Sequence, residues 1–333
     1  MDGWPKGGKT LGRSGQPHRI FIGHGGLPLL RTLCLAGFVA GGGLPVTGVG
    51  HAQTVTSEAG PVPNDRADAG IAKAFAGEAQ TQTIVVDDAA YRRLLASYVV
   101  ERDGGLNLFR YGEVSAADRG ALTKQIKGWE AIDWTALTRP QKFAFFANLY
   151  NALTLDVVLN HYPVKSIRDI TIAPEDQGFF ASLSGAFNRG PWSAKLVNVG
   201  GTRLSLDDIE HAILRPMGDP RVHYAVNCAS VGCPDIRPTP WDAATLDADL
   251  DDAATDYVNS DRGVRPSAGG GLLVSRIYEW FAEDFGGALG VGQHLKRYAT
   301  GETARLLDAE GAEGEIVGYR YDWSLNDATA GTQ

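Results

Sequence analysis

The sequence predicts an α+β fold, a single mostly helical domain with a small β-sheet. Apolar residues recur at helical spacing in several long segments, strand-like runs are few and short, and Gly, Pro and Asp punctuate the intervals. An apolar share of 44% and a charged share of 21% over 333 residues agree with an ordinary globular chain able to bury a core.

The first 52 residues read as a targeting segment. Arg31 precedes an apolar run, Thr32–Ala40, and small residues follow as far as Gly50-His51-Ala52, an A-x-A-like cleavage site. The run is too short and too interrupted by glycine to span a bilayer. Cys34 lacks the small residue directly before it that a lipid anchor requires. The expected location is therefore periplasmic or secreted, in a bacterial cell, with no integral membrane span. Residues 53–83, with Gly60-Pro-Val-Pro63, read as a linker, and structure is expected from Ile84.

Tyr91, Leu94, Leu95, Tyr98 and Val99 recur at helical spacing, and Asp103-Gly104-Gly105 should stop that helix. Leu106–Tyr111 reads as a short strand and Ala116–Lys127 as a second helix. Thr138-Arg139-Pro140-Gln141 is a strong helix start, because Thr caps, Pro suits the first turn and Gln141 completes a capping box. Phe143, Phe146, Ala147, Tyr150, Leu153, Thr154 and Val157 form an apolar stripe along it, with Asn148 and Asn151 at the edge. This helix should end near His161-Tyr162-Pro163, and an extended stretch to Ile172 follows. Asp176–Trp192 reads as a loop over the surface or the site, and residues 195–199 and 203–205 as a β-hairpin around Gly200-Gly201.

Ser205 caps the next predicted helix, which should stop at Pro216. At 100° per residue, Leu206, Ile209, Ile213 and Leu214 share a face, with Glu210 inside it and His211 beside it. A carboxylate on an apolar stripe is costly to bury unless it is paired, so Glu210 demands an explanation. Asp219–Pro234 reads as a buried strand that runs into a Ser/Gly loop and carries His223, Asn227, Cys228, Ser230 and Cys233. Leu246–Val258 should be an amphipathic helix, Leu272–Ser275 a strand, Ile277–Phe285 and Gln293–Ala299 helices, and Tyr319–Trp323 a closing strand. Residues 327–333 form a tail.

Net charge is −8, and without the first 52 residues 26 basic face 38 acidic residues, or −12. Nucleic acid is thereby excluded as a partner, since phosphate binding needs a basic face. No C-x-x-C and no H-E-x-x-H spacing occurs, so neither a metal nor a cofactor is expected. The Gly-rich pieces lack the strand–loop–helix context of a phosphate loop.

Two cysteines five positions apart in an exported chain allow a structural disulfide, buried thiols or an activated nucleophile. On an extended strand at ~3.3 Å per residue, His223 would lie ~16 Å from Cys228 and face the other way. It serves Cys228 only if the chain bends, and His211 is an equal candidate for the base.

Phe146-Ala-Asn-Leu-Tyr-Asn-Ala152, Tyr162-Pro163, Leu206-Asp-Asp-Ile-Glu-His211, Asp219–Ser230 with Cys233-Pro234, and Tyr321–Asn326 resemble, in order and spacing, the family called domain of unknown function 547. The resemblance runs from about Val85 to Asn326 and implies one α+β domain without a settled activity. One departure is Ala147, where the family has a bulkier apolar residue. Likeness to papain or transglutaminase architecture is an analogy only.

The leading functional expectation is a thiol-dependent hydrolase or acyl transferase acting on a small-molecule or peptide ligand. Cys228 is its nucleophile, His211 or His223 the base and Glu210 the orienting carboxylate, while Asn148, Tyr150, Asn151, Asn227 and Ser230 bind substrate. The alternative is a non-catalytic binding or scaffold module with a Cys228–Cys233 disulfide and a structural polar cluster.

Overall fold

A computed structural model describes residues 68–77, 84–102, 105–173, 190–309 and 314–329. The targeting segment, most of the linker and all but the end of the expected 176–192 loop lie outside these residues.

The order of elements is α1 (Ala69–Ala74), α2 (Ala89–Tyr98), β1 (Val99–Val100), β2 (Leu108–Phe109), α3 (Ala116–Trp129), α4 (Arg139–His161), β3 (Val197–Val199), β4 (Thr202–Leu204), the π-helix α5 (Asp208–Leu214), α6 (Val222–Ala225), α7 (Leu246–Val258), β5 (Val264–Pro266), β6 (Leu272–Ser275), α8 (Ile277–Trp280), α9 (Gly287–Tyr298), α10 (Gly301–Asp308) and β7 (Ile316–Arg320). Strands β1–β2 and β3–β4 are antiparallel pairs, and β5-β6-β7 is a three-stranded sheet whose β6–β7 pairing is parallel. A mostly helical α+β domain with small sheets results.

Helix α4 organises the larger core. Its start follows the sequence: Thr138 Oγ1 accepts from the Gln141 N–H and the Gln141 side chain accepts from the Thr138 N–H, with Pro140 in the first turn. The apolar stripe read from the sequence understates its burial, because from Phe143 to Leu155 every residue is buried. Neighbours cover it on all sides, as in helices at the centre of a large domain. Ala147, wholly buried, fits that crowding.

Structure starts earlier than Ile84. Asp68 caps α1 by accepting from the Gly70 and Ile71 N–H groups, and Ile71 and Phe75 are buried in the larger core. Phe75 packs edge-on against Phe146, with ring centroids 5.5 Å apart. This apolar anchor is why part of the stretch 53–83 folds onto the domain instead of acting as a linker.

Two other expectations need correction. The 219–234 segment is not a continuous strand, since Val222–Ala225 forms one helical turn before the backbone extends at Val226. The closing strand β7 ends at Arg320, and Tyr321–Asn326 instead docks by backbone hydrogen bonds onto the cysteine loop. Gly232 permits that docking, because a Cβ there would lie 2.7 Å from the Asp322 nitrogen.

A second core gathers around Tyr224, Tyr257, Tyr278 and Phe285. His294 belongs to it: its Nε2 lies 2.8 Å from the Tyr224 hydroxyl and its ring stacks on Tyr224. Burial, with repulsion from Arg297 and His223, pushes His294 down to about 4 from an ordinary 6.5. Below about 6.5 the unfolded chain binds this proton while the folded chain refuses it until about 4. Stability is therefore lost as pH falls through that window, by up to ~1.4 kcal/mol per pH unit. His294→Gln should flatten the slope of unfolding free energy against pH between 6.5 and 4 by up to one proton, measured by urea melts.

Candidate functional site

The side chains singled out in the sequence are drawn from three elements. Tyr150 comes from the buried α4, Glu210 and His211 from the π-helix α5, and His223 and Cys228 from the turn α6 and the loop after it. All five line one cavity of about 270 Å³. Cys233, Asp207, Trp192, Trp280, Phe281, Tyr321 and Trp323 also face it.

α5 begins as expected. Ser205 N–H donates to Asp208 Oδ2 at 2.7 Å, and Asp208 N–H donates back to Ser205 Oγ at 3.2 Å. It then widens to the i→i+5 pattern, a rare geometry common at functional sites. All seven of its residues are buried, Glu210 and His211 included. Burial raises the Glu210 carboxyl above its usual range, against the opposing pull of His223, Arg215 and a hydrogen bond from Tyr150. These partners explain the carboxylate on an apolar face.

His223 is 3% exposed and stacks flat on Phe281, centroids 4.0 Å apart. Its Nε2 lies 2.7 Å from Asp284 Oδ2, and its Nδ1 is 3.9 Å from Glu210 Oε1. Asp284 is thus the carboxylate that orients it, with Glu210 farther off on the other nitrogen. Burial lowers the His223 pKa despite both carboxylates, so the ring is neutral and its proton is assigned to Nε2. Arg215 grips Asp284 with two nitrogens, at 2.6 and 3.1 Å. Burial would raise the Asp284 carboxyl, but the hydrogen bonds from His223 and Arg215 outweigh it and hold the group well below the carboxylate range. His211 Nδ1 is 3.4 Å from Arg215 Nη1, and its Nε2 is 3.9 Å from Asp207. Burial lowers the His211 pKa, and burial raises Asp207 to about 6.

Among the described residues neither histidine hydrogen-bonds Cys228. The thiol has other neighbours: its Sγ lies 3.1 Å from Ser230 Oγ and 3.0 Å from the Tyr321 hydroxyl. Tyr321 O–H also reaches Cys233 Sγ at 3.1 Å, and the Cys228 N–H donates to that sulfur at 3.0 Å. Both cysteines are free thiols, Cys233 buried and Cys228 partly exposed. Burial penalises charge on either sulfur, yet at Cys233 the donors from Cys228, Tyr321 and Ser230 prevail and lower its pKa. Cys228 moves the opposite way, raised first by burial and then by its bond to Cys233.

The helical turn at α6 brings His223 and Cys228 to one cavity, where an extended strand would have held them apart. Ala229 helps turn the chain at φ 58°, the only non-glycine with positive φ among the described residues. Its N–H is held by Asn227 Oδ1 at 2.9 Å.

Asn148, Asn151 and Asn227 stand away from the cavity wall, and backbone partners occupy their amides. Asn148 donates to the Trp241 carbonyl and accepts from the Trp241 N–H, both at 2.9 Å. Asn151 donates to the Ala225 carbonyl at 2.9 Å and accepts from the Asn227 N–H at 2.8 Å. Asn227 donates to the Pro234 carbonyl at 2.7 Å. Ser230 remains beside Cys228. The sequence reading passed over Asp207, Arg215, Asp284 and the aromatic wall. Tyr321 and Trp323 stood in a quoted motif, but nothing in the sequence linked Asp284 to His223 across 61 positions.

Among the described residues no group of three or more His, Cys, Asp or Glu is arranged to hold a metal ion, and no helix is long and apolar enough to cross a membrane. Asn151→Leu, of similar size, leaves the buried Asn227 N–H without its partner while the Ala225 carbonyl keeps the Trp241 indole N–H, and should cost about 1–3 kcal/mol in unfolding free energy, measured by urea denaturation.

Comparison with the curated proteins finds no significant match, and comparison with the solved structures finds none either. The resemblance carried by the motifs holds over residues 134–258, which span Asn148 to Cys233 and match the family model described as Protein of unknown function, DUF547.

Proposed function

We propose that the cavity is the active site of an exported, periplasmic or secreted, thiol-dependent hydrolase or acyl transferase with Cys228 as nucleophile. One observation carries the reading: a partly exposed thiol on the cavity wall touches an acidified second thiol, among histidines and a buried carboxylate. A base must lie within hydrogen-bond reach of the proton it takes, and for Cys228 that group is Cys233 rather than a histidine.

The step balances as follows. Cys228 sulfur bonds the substrate carbonyl carbon while its proton passes to the Cys233 thiolate. The tetrahedral adduct then expels the leaving group, which takes that proton from Cys233, and an acyl thioester remains on Cys228. Tyr321 O–H supports this step as a donor to the oxygen that gains charge. Water, or an acyl acceptor, then attacks the thioester carbonyl carbon, the acyl C–S bond breaks, and the nucleophile's proton is passed to the departing Cys228 sulfur, which restores the thiol. Neutral His211 on the cavity wall supports proton removal from that second nucleophile. Held by Asp284 and Phe281, His223 supports the shape and charge of the site rather than the thiol directly.

A specific observation also favours the binding-module reading: the asparagine amides are spent on the backbone and, among the described residues, no histidine hydrogen-bonds Cys228. In that case the two cysteines close a disulfide in the oxidising compartment.

Two measurements decide. Incubation with p-nitrophenyl acetate followed by intact-mass and peptide mapping should show one acetyl group on Cys228, absent in Cys228→Ala. No adduct on the wild-type chain, or an adduct that survives Cys228→Ala, overturns the nucleophile. The onset of iodoacetamide labelling of Cys228 against pH reads the ionisation at which Cys233 can take the Cys228 proton. Cys233→Ala should move that onset up by about one pH unit or more. An unchanged onset removes Cys233 as the base, and labelling only after added reductant supports the disulfide module.

A further inference from the structure

The wall of the cavity is aromatic and its floor is acidic. Trp280 and Tyr321 have ring centroids 4.9 Å apart, Tyr321 and Trp323 4.6 Å, and Trp192 meets Trp323 at 5.8 Å. Trp192, Trp280 and Tyr321 are only partly buried, so ring surface is open to an occupant. Trp323 already carries a cation, with the Arg168 guanidinium 5.3 Å from its ring centre. The lining includes the carboxylates of Asp207 and Glu210 but no Lys or Arg among the described residues.

Two of the cations behind that lining have carboxylate partners of their own. Arg215 is engaged by Asp284 and Lys195 by Asp208, so these two cations are matched by two carboxylates outside the wall. Asp207 and Glu210 remain, facing two histidines that burial keeps neutral. Glu210 has Tyr150 as a donor. The Asp207 side chain is 28% exposed and makes no hydrogen bond among the described residues, its histidine neighbour standing 3.9 Å away. Its backbone N–H donates to the Trp192 carbonyl at 3.0 Å, which ties together two residues that both line the cavity.

An occupant of this cavity displaces water from those carboxylates. An anion would be repelled, and a neutral apolar body would leave the carboxylates desolvated and unpaired, at a cost. A cation meets both features, because it is attracted to ring faces and to carboxylates alike. We propose that the cavity binds an organic cation, an ammonium or alkylammonium group lying against Trp192, Trp280 and Tyr321 and paired with Asp207. This deepens the proposed function, on which it rests for the identity of the site: the cationic group would belong to the acyl donor or the acyl acceptor. Burial, and after it the neighbouring Glu210 and Asp208 carboxylates, raise the Asp207 pKa against the pull of His211 and Lys195.

The probe pair is choline and its neutral isostere 3,3-dimethylbutan-1-ol, with 3,3-dimethylbutanoate as the anion, titrated into the purified chain. Binding is read by tryptophan fluorescence and calorimetry. Choline should bind at least about tenfold more tightly than the alcohol, and the anion should not bind. Asp207→Asn and, separately, Trp280→Leu should each weaken choline about tenfold, with near-ultraviolet circular dichroism verifying the fold. Equal affinity for choline and the alcohol overturns the proposal, as does choline affinity unchanged in both variants. Acetylation of Cys228, followed in the same samples, separates the two ideas. Choline failing while acetylation persists sinks only the cation, and choline binding without acetylation sinks only the acyl transfer.

Discussion

The side-chain amide of Asn151 is the interaction on which the cavity depends. It emerges from the buried middle of α4 and bridges the Ala225 carbonyl and the Asn227 N–H. That bridge fixes where α6 ends and where the extended chain into Cys228 begins. Asn227 repeats the device one step on, tying the Pro234 carbonyl at the far side of the loop and the Ala229 N–H within it. Backbone groups of an irregular buried loop have no helix or sheet to satisfy them, and side-chain amides are the residues that can donate and accept at once. The asparagines therefore hold the backbone of the loop that carries Cys228.

Two polar systems meet in the cavity and remain separate. One is the charged system of Arg215, Asp284, His223 and Glu210, joined through the contacts of Asp284 with Arg215 and His223. The other is the thiol system of Cys228, Cys233, Ser230 and Tyr321, knotted around one tyrosine hydroxyl. Tyr321 reaches the thiols because the closing segment docks onto the cysteine loop, with the Val231 and Gly232 N–H groups donating to the Ser324 and Asp322 carbonyls. The extreme C-terminal part of the domain and its middle thus build the thiol environment together. A buried network of this kind is worth its cost only when every member is satisfied, which ties the stability of the loop to the completeness of the site.

The widened turn of α5 serves the same end. Leu206, Ile209, Ile213 and Leu214 sit in the core as helical spacing predicts, yet Glu210 and His211 both reach the cavity from among them. A π-helix is poorer in backbone packing than an α-helix, so the local geometry is held by the surrounding core rather than by its own propensity.

What the sequence determined by itself is local. The capping box of α4, the hairpin at Gly200-Gly201, the Ser205 start of α5 and the class of the fold follow from side chains that act on their neighbours within a few residues. The same reading found Tyr150, Glu210, His211, His223 and Cys228, because reactive residues stood in apolar surroundings where they needed an explanation. It assigned Asn148 and Asn151 to substrate, since an amide at a helix edge looks alike whether it faces a ligand or a distant backbone. It placed His223 on a strand, because an apolar run such as Val222–Val226 does not by itself distinguish one helical turn from an extended segment. Only the tertiary structure decided that Asp284 orients His223, and that Tyr321 joins the two thiols. Those outcomes depend on burial and on partners brought together across 61 to 93 positions, and no periodicity in a sequence encodes contacts at that range.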